Sequence, residues 1–412
     1  MAFPVSPQRV SVVYSDEVWR YEMSASHPLR PVRWKRAFDL IAAAGLTKAP
    51  NVSIIPPRPA TDDEIKLGHS ADYLSAVKVM SSGLNSPAGP SHGFGPGDNP
   101  VYGGMYEANA LTSGGTMVAA QAIADGSTDV AFNFTGGHQH HAMSDRASGF
   151  GVFNDTVMAA RWLVDQGMRV AYIDIDCHHG DGVQAGFYGS QEVLTISLHE
   201  SGQFLFPGTG NVKESGRDAG HGYSVNVPLA PHTSDAAYLD AFEAVVPPLV
   251  EAFKPDVVFT QLGVDTHFLD PITHLQLTVQ GHAAVVRRLR ELAAENGRWL
   301  AVGGGGYDLG AVARAWTVDL AIMAGVTLPT DLPAHVPESP AATTYADDMD
   351  APEDLPALVP ESPAVTTYAD KLEAAEELVE MQVRNFNERS VAQVHEEIFP
   401  HFGLAHGGRR SF

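Results

Sequence analysis

Only one cysteine, Cys177, occurs in 412 residues. That excludes a disulfide framework and a thiolate-built metal site, so any metal must rest on Asp, Glu or His. Basic residues are also scarce: 26 Lys and Arg stand against 49 Asp and Glu, a formal net charge of −23. Such a surface repels the phosphate backbone, which argues against direct binding of nucleic acid or of an anionic membrane. A cationic partner, such as a lysine-rich protein segment, would be favoured, although the charge also serves solubility. No apolar stretch approaches the ~20 residues of a membrane-spanning helix. The first residues, Met-Ala-Phe-Pro-Val-Ser-Pro-Gln-Arg, lack the charged and apolar sections of a secretory signal. A cytoplasmic location is the resulting expectation, and the oligomeric state stays open.

Short apolar runs alternate with longer amphipathic segments. Strands are expected at Arg9–Tyr14, Asp129–Thr135, Met168–Asp176, Val193–Leu198, Gly222–Val227, Asp256–Leu262 and Arg298–Val302. Helices are expected at Pro31–Ala44, Ala71–Met80, Met105–Ala124, Asp155–Asp165, Ser234–Phe253, Thr278–Ala294 and Gly310–Ala324. That alternation predicts an α/β fold, a parallel sheet covered by helices on its faces. Polar clusters follow the strands at their C-terminal ends: Gly-Gly-His-Gln-His-His, Asp-Cys-His-His, His199-Glu200, Gly-Val-Asp-Thr-His and Gly-Gly-Gly-Gly-Tyr. Open parallel sheets bind ligands at that edge, so five loops should converge on one place.

From Leu328 the composition changes. Residues 331–347 recur as 354–370, differing only at His335/Leu358 and Ala342/Val365. Their proline and acid content predicts an extended surface appendage, dispensable for chemistry. The expected organisation is a catalytic domain over 1–327, this duplicated segment over 328–370, and a helix and tail over 371–412. The helix should run from Lys371 to about Asn387 and pack back through Leu372, Ala375, Leu378 and Met381, one face at helical spacing.

The stretch Tyr-Ile-Asp-Ile-Asp-Cys-His-His-Gly-Asp-Gly, 172–182, carries the densest chemistry. In an extended strand Asp174, Asp176 and His178 share a face. Asp176 and His178 offer two metal ligands, and Asp265 is the best candidate for a third. Two carboxylates and an imidazole with an open position suit a catalytic divalent ion: zinc first, with iron(II) or manganese tolerated. His140 and His141 can move a proton between the attacking water and a leaving amine. Asp174 and Asp181 are spare acids that could fix their tautomers. Tyr307, after four glycines, can donate a hydrogen bond to a developing oxyanion. Phe150 and Phe206 could face each other across a slot for an alkyl chain.

These stretches together resemble the histone deacetylase superfamily, and within it the bacterial acetoin-utilisation branch. The resemblance runs over about residues 10–325 and also includes His27-Pro28-Leu29-Arg30-Pro31, Phe206-Pro207-Gly208-Thr209-Gly210 and Leu269-Asp270-Pro271-Ile272-Thr273-His274-Leu275. It implies a three-layer α/β/α arginase/deacetylase-like fold with a central, mostly parallel sheet of about eight strands. It implies that Asp176, His178 and Asp265 hold zinc, that His141 with Asp181 is the general base and acid, and that His140 with Asp174 supports it. Tyr307 would polarise the acyl carbonyl. Gly149, Phe150, Phe206 and Ile272 would line an acyl-lysine tunnel, with Arg33 at an internal pocket and Asp98 gripping substrate at the rim. A potassium ion near Asp174, Asp176, His178, Ser197 and Leu198 is also implied. The chain has two residues, His138 and Gln139, before the His pair where the family usually has one.

The expected activity is metal-dependent hydrolysis of N6-acetyl-lysine in proteins. The alternatives are the same chemistry on acetylpolyamines or other small acylated amines, and a non-catalytic acetyl-lysine binding module. The Pro/Gly-rich stretch Ser86–Pro100 favours an entrance open to protein substrates.

Overall fold

Alternate side chains of each central strand enter two different cores. In Val170–Asp174, Ala171 and Ile173 join one apolar cluster while Val170 and Tyr172 join the other. Burial on both faces explains why the strand sequences are almost continuously apolar. The computed structural model describes residues 8–20, 22–84, 87–333, 343–347 and 364–405, the side chains of 364–376 excepted.

The chain opens with β1 (Val10–Val13), α1 (Val32–Ala43), β2 (Val52–Ile55), α2 (Asp62–Ile65), α3 (Ala71–Ser81) and α4 (Met105–Ala124). It continues through β3 (Val130–Asn133), α5 (Asp155–Asp165), β4 (Val170–Asp174), α6 (Asp181–Phe187), β5 (Val193–Glu200) and β6 (Ser224–Leu229). The remaining elements are α7 (Asp235–Phe253), β7 (Val257–Gln261), α8 (Val279–Asn296), β8 (Arg298–Val302), α9 (Leu309–Ala324) and α10 (Ala364–Glu397). Eight strands form one sheet in the order β2-β1-β3-β8-β7-β4-β5-β6. Every pairing is parallel. Helices α1, α7, α8, α9 and the C-terminal part of α10 supply one face, and α3, α4, α5 and α6 the other. This is a three-layer α/β/α fold. All strand C-termini share one edge, where the loops after β3, β4, β7 and β8 meet.

Several features depart from the sequence reading, among them the short helices α2 and α6, where no helix was expected. Edge strand β2, Val-Ser-Ile-Ile, is half-exposed and too short to carry an alternating pattern. Helix α10 begins earlier and runs further than Lys371–Asn387. Its packing face is also different: Val383, Asn387, Ser390 and Val394 are buried, whereas Leu378 and Met381 are about half exposed. The side chains of Leu372 and Ala375, and residues 334–342 and 354–363 of the duplicated segment, lie outside the described residues.

The end of the first repeat packs more closely than its composition suggests. Thr344 bridges Asp331 in antiparallel sense, and Tyr345 is buried against Leu40 and Ala313. The expectation of an exposed appendage therefore does not hold for 343–347. The Tyr345 ring, the Asp347 carboxylate and main-chain hydrogen bonds to Gln280 and Arg314 dock it.

Candidate active site

β4 ends at Asp174, and the chain turns immediately through Asp176 and His178. β7 ends at Gln261, and Asp265 follows in its loop. Because β4 and β7 pair in register, the two loops leave side by side. One ligand atom from each of Asp176, His178 and Asp265 lies within 4.8 Å of the others, and all three residues are buried. His178 Nδ1 faces both carboxylates, at 3.2 Å from Asp176 Oδ1 and 2.9 Å from Asp265 Oδ2.

The carboxylates are held from behind. Asp176 Oδ2 accepts from Gln261 Nε2 at 2.6 Å and from the Gly305 amide at 2.7 Å. Asp265 Oδ1 accepts from the Cys177 amide at 2.8 Å. A Cβ at position 305 would lie 2.1 Å from Asp265 Oδ2, so only glycine lets the backbone after β8 come this close. Such a set fits a divalent cation: converging oxygens and one imidazole nitrogen, each outer oxygen fixed by a donor. Burial and the neighbouring charge of Asp176 push the Asp265 carboxyl up to about 7. The two acids thus repel each other where a cation would relieve them.

The loop after β3 delivers the histidine pair. His140 Nδ1 is 2.9 Å from Asp174 Oδ2, and His141 Nδ1 is 2.7 Å from Asp181 Oδ1. Burial would lower His140, but the charges of Asp174 and Asp176 carry it up to about 9. Burial and the adjacent His140 hold His141 down at about 4. Environments that push two neighbouring titratable groups apart separate a neutral base from a cation. His140 Nε2 is 3.8 Å from Asp176 Oδ1, so the pair faces the triad.

The two residues before the pair have separate places. Gln139 is a buried clamp: its Oε1 accepts from the Val152 and Phe153 amides and its Nε2 donates to Ser113 Oγ. His138 is buried beside the Trp34 ring, with neither an Asp nor a Glu hydrogen-bonded to it among the described residues. The structure therefore brings His140 and His141, not His138, to the acids.

Aromatic rings close the mouth. The half-exposed Phe206 ring lies 5.0 Å from that of His141, and the Phe150 ring 5.7 Å from that of Tyr307. Phe150 adopts a left-handed backbone, φ 68°, directly after Gly149 at φ 49°. A side chain at 149 would strike the His141 ring, with a Cβ 2.3 Å from Cδ2. Burial, with Asp265 and Asp176 nearby, raises the Tyr307 phenol well above its ordinary value and keeps it a donor. Arg33 is buried behind it, donating to the Gly306 and Gly304 carbonyls at 2.7 and 2.8 Å. Ile272 is half-buried in the loop after Asp265, and Asp98 is exposed, its carbonyl 3.2 Å from His27 Nε2. Asp174 and Ser197 are register partners on β4 and β5, with Leu198 next along β5.

The histone deacetylase domain, as a family pattern, matches residues 27–323. The chain belongs to the histone deacetylase family. It is 40% identical over 309 residues to the acetoin utilization protein AcuC of Bacillus subtilis, covering 74% of this chain and 79% of that one. The AcuC of Staphylococcus xylosus is 37% identical over 328 residues, covering 78% and 84%. Among solved structures, a histone deacetylase homologue from Aquifex aeolicus superposes with a TM-score of 0.74 at 32% identity, covering 79% of this chain and 86% of that one. A histone deacetylase homologue complexed with SAHA matches with the same values. The chain is thus a histone deacetylase-like hydrolase of the acetoin-utilisation branch, with a triad able to hold a metal ion.

Three residues that support the site were given no role by the sequence reading, although Asp270 and Tyr172 lie in stretches it singled out. Gln261 reads as an ordinary polar residue inside a strand, yet it braces Asp176. Asp270 Oδ2 accepts from the Tyr307 amide at 2.8 Å, and its carboxyl is pushed up to about 8 by burial and by Asp265. Tyr172 donates to Asp174 Oδ2 at 2.6 Å from within β4. Only alternation, which puts 172 on the same strand face as 174, could have pointed to it.

Proposed function

We propose that this histone deacetylase-family hydrolase removes the acetyl group from N6-acetyl-lysine in proteins, with zinc held by Asp176, His178 and Asp265. The observation that carries the reading is the pair of rings at the mouth. Phe206 leans on His141 and Phe150 on Tyr307, so an unbranched alkyl chain entering between them would deliver its amide to the triad. Gly149 and Ile272 would complete that tunnel, and Asp98 would meet the substrate backbone at the rim.

A divalent ion in the triad would act as a Lewis acid toward the acyl carbonyl and acidify a water beside it. His141, neutral and oriented by Asp181, takes the proton from the attacking water and returns it to the departing lysine amine as the C–N bond breaks. His140, cationic beside Asp174, adds positive charge next to the forming tetrahedral centre. Tyr307 donates its phenolic hydrogen to the carbonyl oxygen as that oxygen gains charge. Arg33 fixes the backbone that carries Tyr307. A potassium ion beside Asp174, Asp176, His178, Ser197 and Leu198 would steady the turn after β4.

The test is acetate release by metal-stripped protein reconstituted with zinc, iron(II) or manganese, on an acetyl-lysine peptide and on an acetylated polyamine. The expected result is a higher kcat/KM for the peptide, restored best by zinc. In Asp265→Ala both bound metal and turnover should fall away. A preference for the polyamine would redirect the substrate class, and peptide binding without acetate release would make the protein an acetyl-lysine binding module.

A further inference from the structure

The carboxylate of Asp347 has three partners from three separate parts of the chain. Its Oδ2 accepts from His267 Nε2 at 2.9 Å and from the Val279 amide at 2.8 Å. Its Oδ1 pairs with Arg314 at 2.7 Å. Its amide donates to Gln280 Oε1 at 2.9 Å, and its carbonyl accepts from Gln280 Nε2 at 2.8 Å. The side chains of His267, Asp347 and Arg314 are only 2%, 6% and 4% exposed. A segment from beyond residue 323, where the family match ends, is thus keyed into the body by a buried ion pair and four hydrogen bonds.

What the key holds is the loop that follows Asp265. His267 Nδ1 accepts from the Leu269 amide at 3.1 Å, which leaves its proton on Nε2, facing Asp347. The His267 carbonyl accepts from the Asp270 amide at 2.8 Å. Asp270 in turn takes the Ile272 amide on Oδ1 at 3.1 Å and the Tyr307 amide on Oδ2 at 2.8 Å. Arg314 stands on α9, which starts two residues after Tyr307. Asp347 therefore braces Tyr307 from both directions, through the loop before it and through the helix after it.

We propose that residues 343–347 form a strap that positions Tyr307 for turnover, with Asp347 as its positioning residue. The proposal rests on Tyr307 serving the acyl carbonyl as described above. The same five residues, Thr-Thr-Tyr-Ala-Asp, recur at 366–370, where they belong to the start of α10. Asp370 is therefore a built-in control: the same residue in the same local sequence, placed elsewhere in the chain.

The experiment uses the full chain reconstituted with zinc. Asp347→Asn removes the charge and nearly keeps the shape. It should lower kcat on the acetyl-lysine peptide by about tenfold, less than the ~10²-fold that an ångström of misplacement can cost. KM and metal content should stay near parental, and amides of 266–277 should exchange hydrogen faster. Asp370→Asn should match the parent in all four measurements. Gln280→Ala, an exposed change that frees only the Asp347 main chain, should give the same pattern at smaller amplitude. In a Tyr307→Phe background Asp347→Asn should cost nothing further, because both act through one hydroxyl. A parental kcat in Asp347→Asn, an equal loss in Asp370→Asn, or the full tenfold loss repeated in the Tyr307→Phe background would overturn the strap. If Tyr307→Phe itself turns over at the parental rate, the role of Tyr307 fails instead, and exchange at 266–277 alone then decides whether the strap holds its loop.

Discussion

Their surroundings carry the His140 imidazole up to about 9 and hold that of His141 down at about 4, and the two buried rings differ in which acids they face. His140 has Asp174 and Asp176 within 4 Å, whereas His141 has Asp181 alone and a charged neighbour. On the proposed reading, proton transfer belongs to His141 for that reason. His141→Ala should lower turnover by the ~10²–10⁴-fold typical of a general acid–base residue, with metal content unchanged. His138→Ala, which opens space beside Trp34, should disturb stability more than turnover. If His138→Ala proved crippling while His141→Ala stayed active, the roles would have to move along the loop. The clustering of Asp176, His178 and Asp265 with the histidine pair was legible in the sequence, because strand ends in a parallel sheet must converge. The roles of Gln261, Asp270 and Gln139 were not, since an amide or acid shows its role only when its partner across the loops is known. The extra residue before the pair is absorbed by the Gln139 clamp, a long-range pairing that no local pattern encodes.

At the scale of elements, seven of the eight strands followed from apolar runs, and the eighth, β2, escaped because an edge strand need not be apolar. Helix α10 was legible as a helix but not in its packing: among its described side chains the first buried one is Val383, past Leu378 and Met381, which the spacing had marked. The strap was illegible for a different reason. Proline and acid content describe 331–347 as a whole, while docking depends on two side chains, Tyr345 and Asp347. Burial alone would raise the Asp347 carboxyl, but His267, the Val279 amide and Arg314 hold it at about 2. With the folded value below the ordinary 3.8, the unfolded chain binds more protons between those limits. The strap therefore contributes its full stability above about pH 4 and loses it as pH falls toward 2. The melting temperature of the parent should exceed that of Asp347→Asn by a constant margin from neutral pH down to about 4, and the margin should shrink below it. A margin that grows on acidification would mean that the carboxylate is not stabilised by these partners.

For the whole molecule, the excess of acid sets how substrates arrive rather than how they react. A net charge of −23 over the chain produces a field that reaches about a Debye length, ~8 Å at physiological ionic strength. Exposed Asp98 has that sign too, and its carbonyl lies 3.2 Å from His27, whose ring packs on Phe150. On the proposed reading the field matters little at the chemical step, since an acetylated lysine side chain is neutral and Phe150 and Phe206 are apolar. Charge on the flanking peptide should then act on encounter, hence on kcat/KM, and leave kcat alone. Two peptides with one acetyl-lysine, flanked in one case by Lys and Arg and in the other by Asp and Glu, separate these effects. Raising salt from about 50 mM to 500 mM should lower kcat/KM for the basic peptide and raise it for the acidic one, with kcat constant for both. Identical salt responses would show that the acidic surface serves solubility alone. A response confined to kcat would place the charge effect at the chemical step and overturn this account.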